Sequence, residues 1–150
     1  HHALHVRRMI TTRRCFLALA ALPAAAAAAT EDALRNANRD AVGDAPIADG
    51  GITLRLPALA ENGGQVPVTI LVESPMTAAD HISAIHVFAT RNPTPGVASF
   101  RLTPLLARAE VQTRIRLAEE QRVIVLAQSN DGRVRRAMAE IRVSTGGCLT

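Results

Sequence analysis

The chain contains no Trp, no Tyr and no Lys, and its only aromatic rings besides histidine are Phe16, Phe88 and Phe100. Without aromatic platforms it has no means of holding single strands by base stacking. It has two cysteines, Cys15 and Cys148, and no C-x-x-C pair, which leaves dithiol redox chemistry poorly supported. The absence of a G-x-S-x-G turn removes the nucleophile elbow of hydrolases. The apolar stretch Cys15 to Ala29 is too short and too rich in alanine for a membrane span, so no stable membrane anchor is expected.

Basic charge is also scarcer than the sequence pI of 10.8 suggests. Arg7, Arg8, Arg13 and Arg14 lie ahead of residue 30, where there is no Asp or Glu. Removing them leaves 13 basic residues against 13 acidic ones. A formally neutral remainder has no electrostatic footprint for a phosphate backbone, so nucleic acid is not an expected partner.

What is present divides into four parts. Residues 1–29 read as an upstream extension (1–8, with a start at Met9) followed by an export signal. Its order is a basic segment, an apolar segment and small residues, with cleavage near Ala29. Thr12-Arg13-Arg14-Cys15-Phe16-Leu17 resembles the twin-arginine motif, which predicts a periplasmic location and export in the folded state. Processing there would remove Cys15 and leave Cys148 as the only thiol. Residues 30–48 read as a short helix and a linker. Thr30 is placed to cap the helix, Glu31 and Asp32 suit its positive end, Gly43 suits its stop, and Leu34, Ala37, Ala41 and Val42 form a narrow apolar stripe.

Residues 49–143 carry the period-two texture of β structure. The segments are Ile52 to Leu56, Val66 to Val72, Ile82 to Ala89, Val97 to Leu102, Ala109 to Leu117, Gln121 to Ala127 and Val134 to Val143. Asn62-Gly63-Gly64, Asn92-Pro93-Thr94-Pro95-Gly96 and Asn130-Asp131-Gly132 are turn signals between them. Seven short strands at regular spacing predict an all-β, immunoglobulin-like β-sandwich. It lacks the core Trp, tyrosine corner and inter-sheet disulfide of antibody domains, so its core must rest on Val, Ile, Leu and Ala with Phe88 and Phe100.

Residues 144–150, Ser-Thr-Gly-Gly-Cys-Leu-Thr, form the fourth part. Glycine reaches backbone regions closed to other residues, so Gly146 and Gly147 read as a hinge for the thiol of Cys148 on a flexible arm. Such a hinge works against a Cys/His dyad, which needs fixed geometry. Metal binding is poorly supported too. His81 and His86 fall on opposite faces if they share one strand, and Cys148 would have to fold back to join them. They read instead as surface or partner-facing histidines, and neither a metal nor another cofactor is expected. The thiol is better suited to being presented to other proteins, because sulfur–sulfur bonds form reversibly. Two other uses remain open on these residues: a disulfide-linked dimer of an immunoglobulin-like module, and a thiol peroxidase or transferase.

Several stretches together carry a family resemblance. They are Ile52-Thr53-Leu54 with Leu56-Pro57, Ala60-Glu61-Asn62-Gly63 with Val66-Pro67-Val68, and Ser74-Pro75-Met76-Thr77-Ala78. Ala84-Ile85-His86-Val87-Phe88-Ala89, Asn92-Pro93 with Pro95, Thr113 to Ala118, Asp131-Gly132 and the closing Gly146-Gly147-Cys148 complete the set. In this order they resemble the SoxY family, the sulfur-carrier subunits of the periplasmic thiosulfate-oxidising (Sox) system. The resemblance implies a non-enzymatic carrier whose substrate is attached at Cys148, paired with a SoxZ-like β-sandwich subunit. It further implies a haem sulfur transferase, a sulfate-releasing hydrolase and a sulfur dehydrogenase as the enzymes that act on it. One departure is local: Leu149-Thr150 stand where the family ends in two glycines.

Overall fold

The computed structural model describes residues 22–144, with side chains from residue 31 onward. Its elements in chain order are α1 (Leu22–Val42), β1 (Ile47–Asp49), β2 (Ile52–Arg55), β3 (Leu59–Ala60), β4 (Val66–Val72), β5 (Ile82–Ala89), β6 (Gly96–Arg101), β7 (Ala109–Ile115), β8 (Gln121–Ser129) and β9 (Val134–Val143). The seven expected strands are all there, and two short ones accompany them.

Two sheets face each other. One has β2-β4-β7, all antiparallel; the other runs β1-β9-β8-β5-β6, with β3 also on β9. Alternation in the strands explains the core directly. Val66, Val68, Ile70 and Val72 point inward from β4, and Val123, Val125 and Ala127 of β8 meet them with Ile85 and Val87 of β5. The expected single face of β4 and the half-buried pattern of β2 are both observed. Burying such aliphatic side chains stabilises by about 1.5–3 kcal/mol each, which suits a core with no cysteine among the described residues.

The two phenylalanines do not share one core. Phe100 packs at the margin of the inter-sheet cluster, whereas Phe88 faces the other side of its sheet, towards α1. There Leu34, Ala37 and Ala41 pack with Val42 against Phe88, Ile124, Leu126 and Val134. The narrow stripe is wide enough because it covers only a small part of one sheet face.

The helix starts earlier than the sequence pattern predicts. Thr30 lies inside it rather than capping it, since the alanine run before it is the strongest helix-forming composition available. Pro23 falls in the first turn, where its missing N–H costs nothing. The stop is as expected. Gly43 has φ +70°, and its N–H donates to Arg39 O at 2.7 Å, a left-handed C-cap.

The segment expected to be a linker carries β1, which runs parallel to β9 with Ile47 opposite Val134 and Asp49 opposite Arg136. Arg136 holds Asp49 through two bonds, Nε to Oδ1 at 2.8 Å and Nη2 to Oδ2 at 3.1 Å. β3 joins the same side of β9 further along, with Ala60 opposite Val143. A free strand edge is an aggregation template, and these two short pieces cover both ends of this one. No helix among the described residues is long and apolar enough to cross a membrane.

Candidate functional site

Gly146, Gly147 and Cys148 lie outside the described residues, so the structure bears on the site through the place from which that segment departs. β9 is the longest strand, and its far end is held firmly. Ile141 is buried in the inter-sheet core and Val143 packs against it. Arg142 N donates to Ala58 O at 3.0 Å and Ser144 N donates to Ala60 O at 2.8 Å. The backbone is therefore anchored up to Ser144. Four further residues lead to Cys148, a span of at most about 14 Å at 3.3–3.6 Å per residue.

The root of this segment is assembled by three chain stretches that meet at Gly63. Its carbonyl accepts from Leu117 N at 2.8 Å. A Cβ at Gly63 would stand 2.5 Å from Leu117 O and 2.8 Å from Val143 Cγ1, so only glycine fits this convergence. Beside it a polar clamp joins the loop after β5 to the loop before β8. Asn92 Nδ2 donates to Arg116 O at 2.8 Å, while its Oδ1 accepts from Ala118 N at 3.1 Å and from Gln121 Nε2 at 2.8 Å. Gln121, only 5 % exposed, completes its own bonding with Glu119 O and with Arg91 N. Gln121 stands opposite Ile141, so the clamp reaches the last strand directly.

A cleft of about 770 Å³ opens next to this root, between the helix and the β8–β9 end of the sheet. Leu34 and Ile124 form its apolar floor, and its rim carries Glu31, Glu119, Glu120 and Glu140 against Arg91 and Arg122. Arg122 is already bonded to Glu140 at 3.1 Å. An excess of carboxylates makes it a poor receptor for an anion.

The two histidines end up apart. His81 precedes β5 and has Nδ1 3.0 Å from Thr77 O. His86 is inside β5, half-buried on the face towards α1, with Nδ1 2.8 Å from Ser99 Oγ. Both histidines are half-buried, His81 in the loop before β5 and His86 with its Nε2 turned into the protein. Among the described residues no group of three or more His, Cys, Asp or Glu is placed to hold a metal.

Sequence reasoning missed Gly63's close approach, the Asn92–Gln121 clamp and both covering strands. One signal was legible. Gln121 shares its face with Val123, Val125 and Ala127, and an inward polar residue on such a face must find partners.

Fold and root together define a class: an immunoglobulin-like, two-sheet β-sandwich whose last strand leads straight into a Gly-Gly-Cys sequence. The family model described as "Sulfur oxidation protein SoxY" matches residues 38–148. The sulfur carrier protein SoxY from Chlorobium limicola f thiosulfatophilum is 32% identical and superposes with a TM-score of 0.64, over 76% of this chain and 98% of that one. Superoxide reductase (neelaredoxin) from Ignicoccus hospitalis, at 18% identity and TM-score 0.56, matches over 63% of this chain and 81% of that one. Superoxide reductase from Nanoarchaeum equitans, at 11% identity and TM-score 0.54, covers 64% of this chain and 100% of its own. These two share the fold alone. Among curated proteins none matches significantly. The chain belongs to the SoxY family.

Proposed function

We propose that this chain is a periplasmic sulfur carrier that holds its cargo covalently on the thiol of Cys148, with Gly146 and Gly147 as the hinge. The observation that carries the proposal is the family match, which runs through to residue 148. The anchoring of β9 up to Ser144 supports it, because it gives the sequence that bears the thiol a fixed point of departure.

The chemistry asked of the protein is modest. Oxidative coupling joins the cysteine sulfur to the outer sulfur of thiosulfate, giving RS–S–SO₃⁻, with one proton and two electrons leaving. A haem enzyme of the Sox system is the electron acceptor that the family resemblance implies. Water then cleaves the sulfonate, giving RS–S⁻, sulfate and two protons, on a partner hydrolase. A sulfur dehydrogenase would oxidise the sulfur that stays. The carrier supplies a nucleophilic atom and its delivery; none of these steps requires a catalytic group of its own. A SoxZ-like β-sandwich subunit is the expected permanent partner, and Arg13-Arg14 would direct export of the folded pair.

The test is intact-mass analysis after incubation with thiosulfate and the oxidising enzyme. The wild-type chain should gain one thiosulfate-derived group and Cys148→Ser none. Gly146→Pro with Gly147→Pro, which locks φ near −65° at both positions, should leave thermal stability unchanged and slow loading and sulfate release severalfold or more. Loading of Cys148→Ser would remove the carrier reading, and full-rate turnover by the proline pair would remove the hinge.

A further inference from the structure

α1 and the sheet beneath it form an apolar layer into which one titratable ring intrudes. His86 stands on β5 two residues from Phe88, between Leu126 of β8 and Ser99 of β6. Its Nδ1 is engaged with Ser99 Oγ at 2.8 Å, but its Nε2 is buried and finds no hydrogen-bond partner. On α1, Asn38 Oδ1 is likewise buried and unpartnered. Such orphans are costly and rare in packed layers. A second proton on the ring would put a full charge into this layer with one hydrogen bond to support it, and an unpaired buried charge is strongly unfavourable.

The groups facing the ring offer no counter-charge. Of the residues that α1 lays on the sheet, Leu34, Ala37, Ala41 and Val42 are apolar and Asn38 is polar but uncharged. Its charged residues Glu31, Asp32, Arg35, Arg39 and Asp40 are all exposed. Leu126 comes from β8, and Ala84 and Phe88 from β5, all uncharged. From β6 comes Arg101, opposite Ala84, which is cationic and repels a protonated ring.

We propose that His86 is an acid-sensitive latch, holding α1 on the six-stranded sheet while the ring is neutral and releasing it when the ring is protonated. Release would uncover Phe88, Ile124 and Leu126 as an apolar strip. Burial first, and Arg101 second, hold the ring's pKa below its ordinary value near 6.5. The sign follows: the undocked ring binds protons more readily, so docking is fully stabilised above pH 6.5. It weakens as pH falls from there towards the docked pKa.

The experiment is hydrogen–deuterium exchange on the full chain at pH 7.5 and pH 5.0, with rates corrected for intrinsic chemistry. Amides of residues 31–43 should lose protection severalfold at the lower pH, while those of β8 keep theirs. His86→Gln should hold α1 equally at both values. Arg101→Gln, which removes the repulsion, should shrink the acid effect; it carries the test if His86→Gln does not fold. Protection of α1 that ignores pH, an equal acid loss in His86→Gln, or an undiminished loss in Arg101→Gln would each overturn the latch.

Discussion

Gly63→Ala is the substitution through which the geometry of the root can be measured. The added methyl would stand 2.5 Å from Leu117 O and 2.8 Å from Val143 Cγ1, both well inside ordinary van der Waals contact. Leu117 O is backbone, next to a side chain only 1 % exposed, so it cannot swing aside like the end of a long side chain. The Leu117 N to Gly63 O bond at 2.8 Å would be strained by the same displacement. Overpacking of this kind costs about 1–3 kcal/mol, and a weakened hydrogen bond adds roughly 1 kcal/mol. For a loss of about 2–3 kcal/mol, at roughly 3–5 °C per kcal/mol in a domain of this size, the melting temperature should fall by about 6–15 °C. Gly64→Ala is the matched control. Its Cβ would meet only Asn62 Oδ1, at 3.1 Å, and a side-chain oxygen can yield. Thermal melts of both variants, followed by far-ultraviolet circular dichroism, should therefore differ by most of that range. Equal melting temperatures would refute the claim that the three stretches converge too closely for a methyl group.

Other expectations rest on single side chains. Asn92→Ala removes three hydrogen bonds at once and should cost about 1–3 kcal/mol in urea unfolding, with an unchanged m-value if only the native state is affected. Ser129 is 2 % exposed with its hydroxyl unpartnered, so Ser129→Ala should be neutral or stabilise by roughly up to 1 kcal/mol in the same assay. Replacing Leu149 and Thr150 by the glycines typical of the family should leave the melting temperature within about 1 °C, because both follow the last core strand in sequence. If the leucine crowds partner channels, sulfate release from the loaded carrier should accelerate in that variant; an unchanged rate would show that it does not.

Strands such as β2 and β4 were legible because each buries one face only, and a half-buried strand must alternate, whereas β5 and β8, covered on both faces, show as nearly continuous apolar runs. Ile52 to Leu56 and Val66 to Val72 announce themselves in this way. The stop of α1 was legible at Gly43, since a left-handed residue is what a helix C-cap needs. The helix start was not: export signals and helices both favour runs of alanine, and composition cannot separate them. β1 and β3 escaped for a different reason. Three residues or two are too few to show a period, and what makes Ile47–Asp49 and Leu59–Ala60 strands is the hydrogen-bonding edge of β9, a partner roughly eighty residues away.

The site divides along the same line. Gly146-Gly147-Cys148 and the family they point to can be read from the chain alone, because the information is local: two residues without side chains beside one thiol. That this sequence departs from an anchored strand, beside a glycine admitting no methyl group and an Asn–Gln clamp, was decided by tertiary structure. So was the environment of His86. Its neighbours Ser99 and Arg101 of β6, Leu126 of β8 and α1 come from three different elements, and a histidine on an alternating strand looks the same in sequence whether water or a helix lies above it. Local conformational preference is written residue by residue, whereas burial and electrostatic surroundings exist only once distant segments have met.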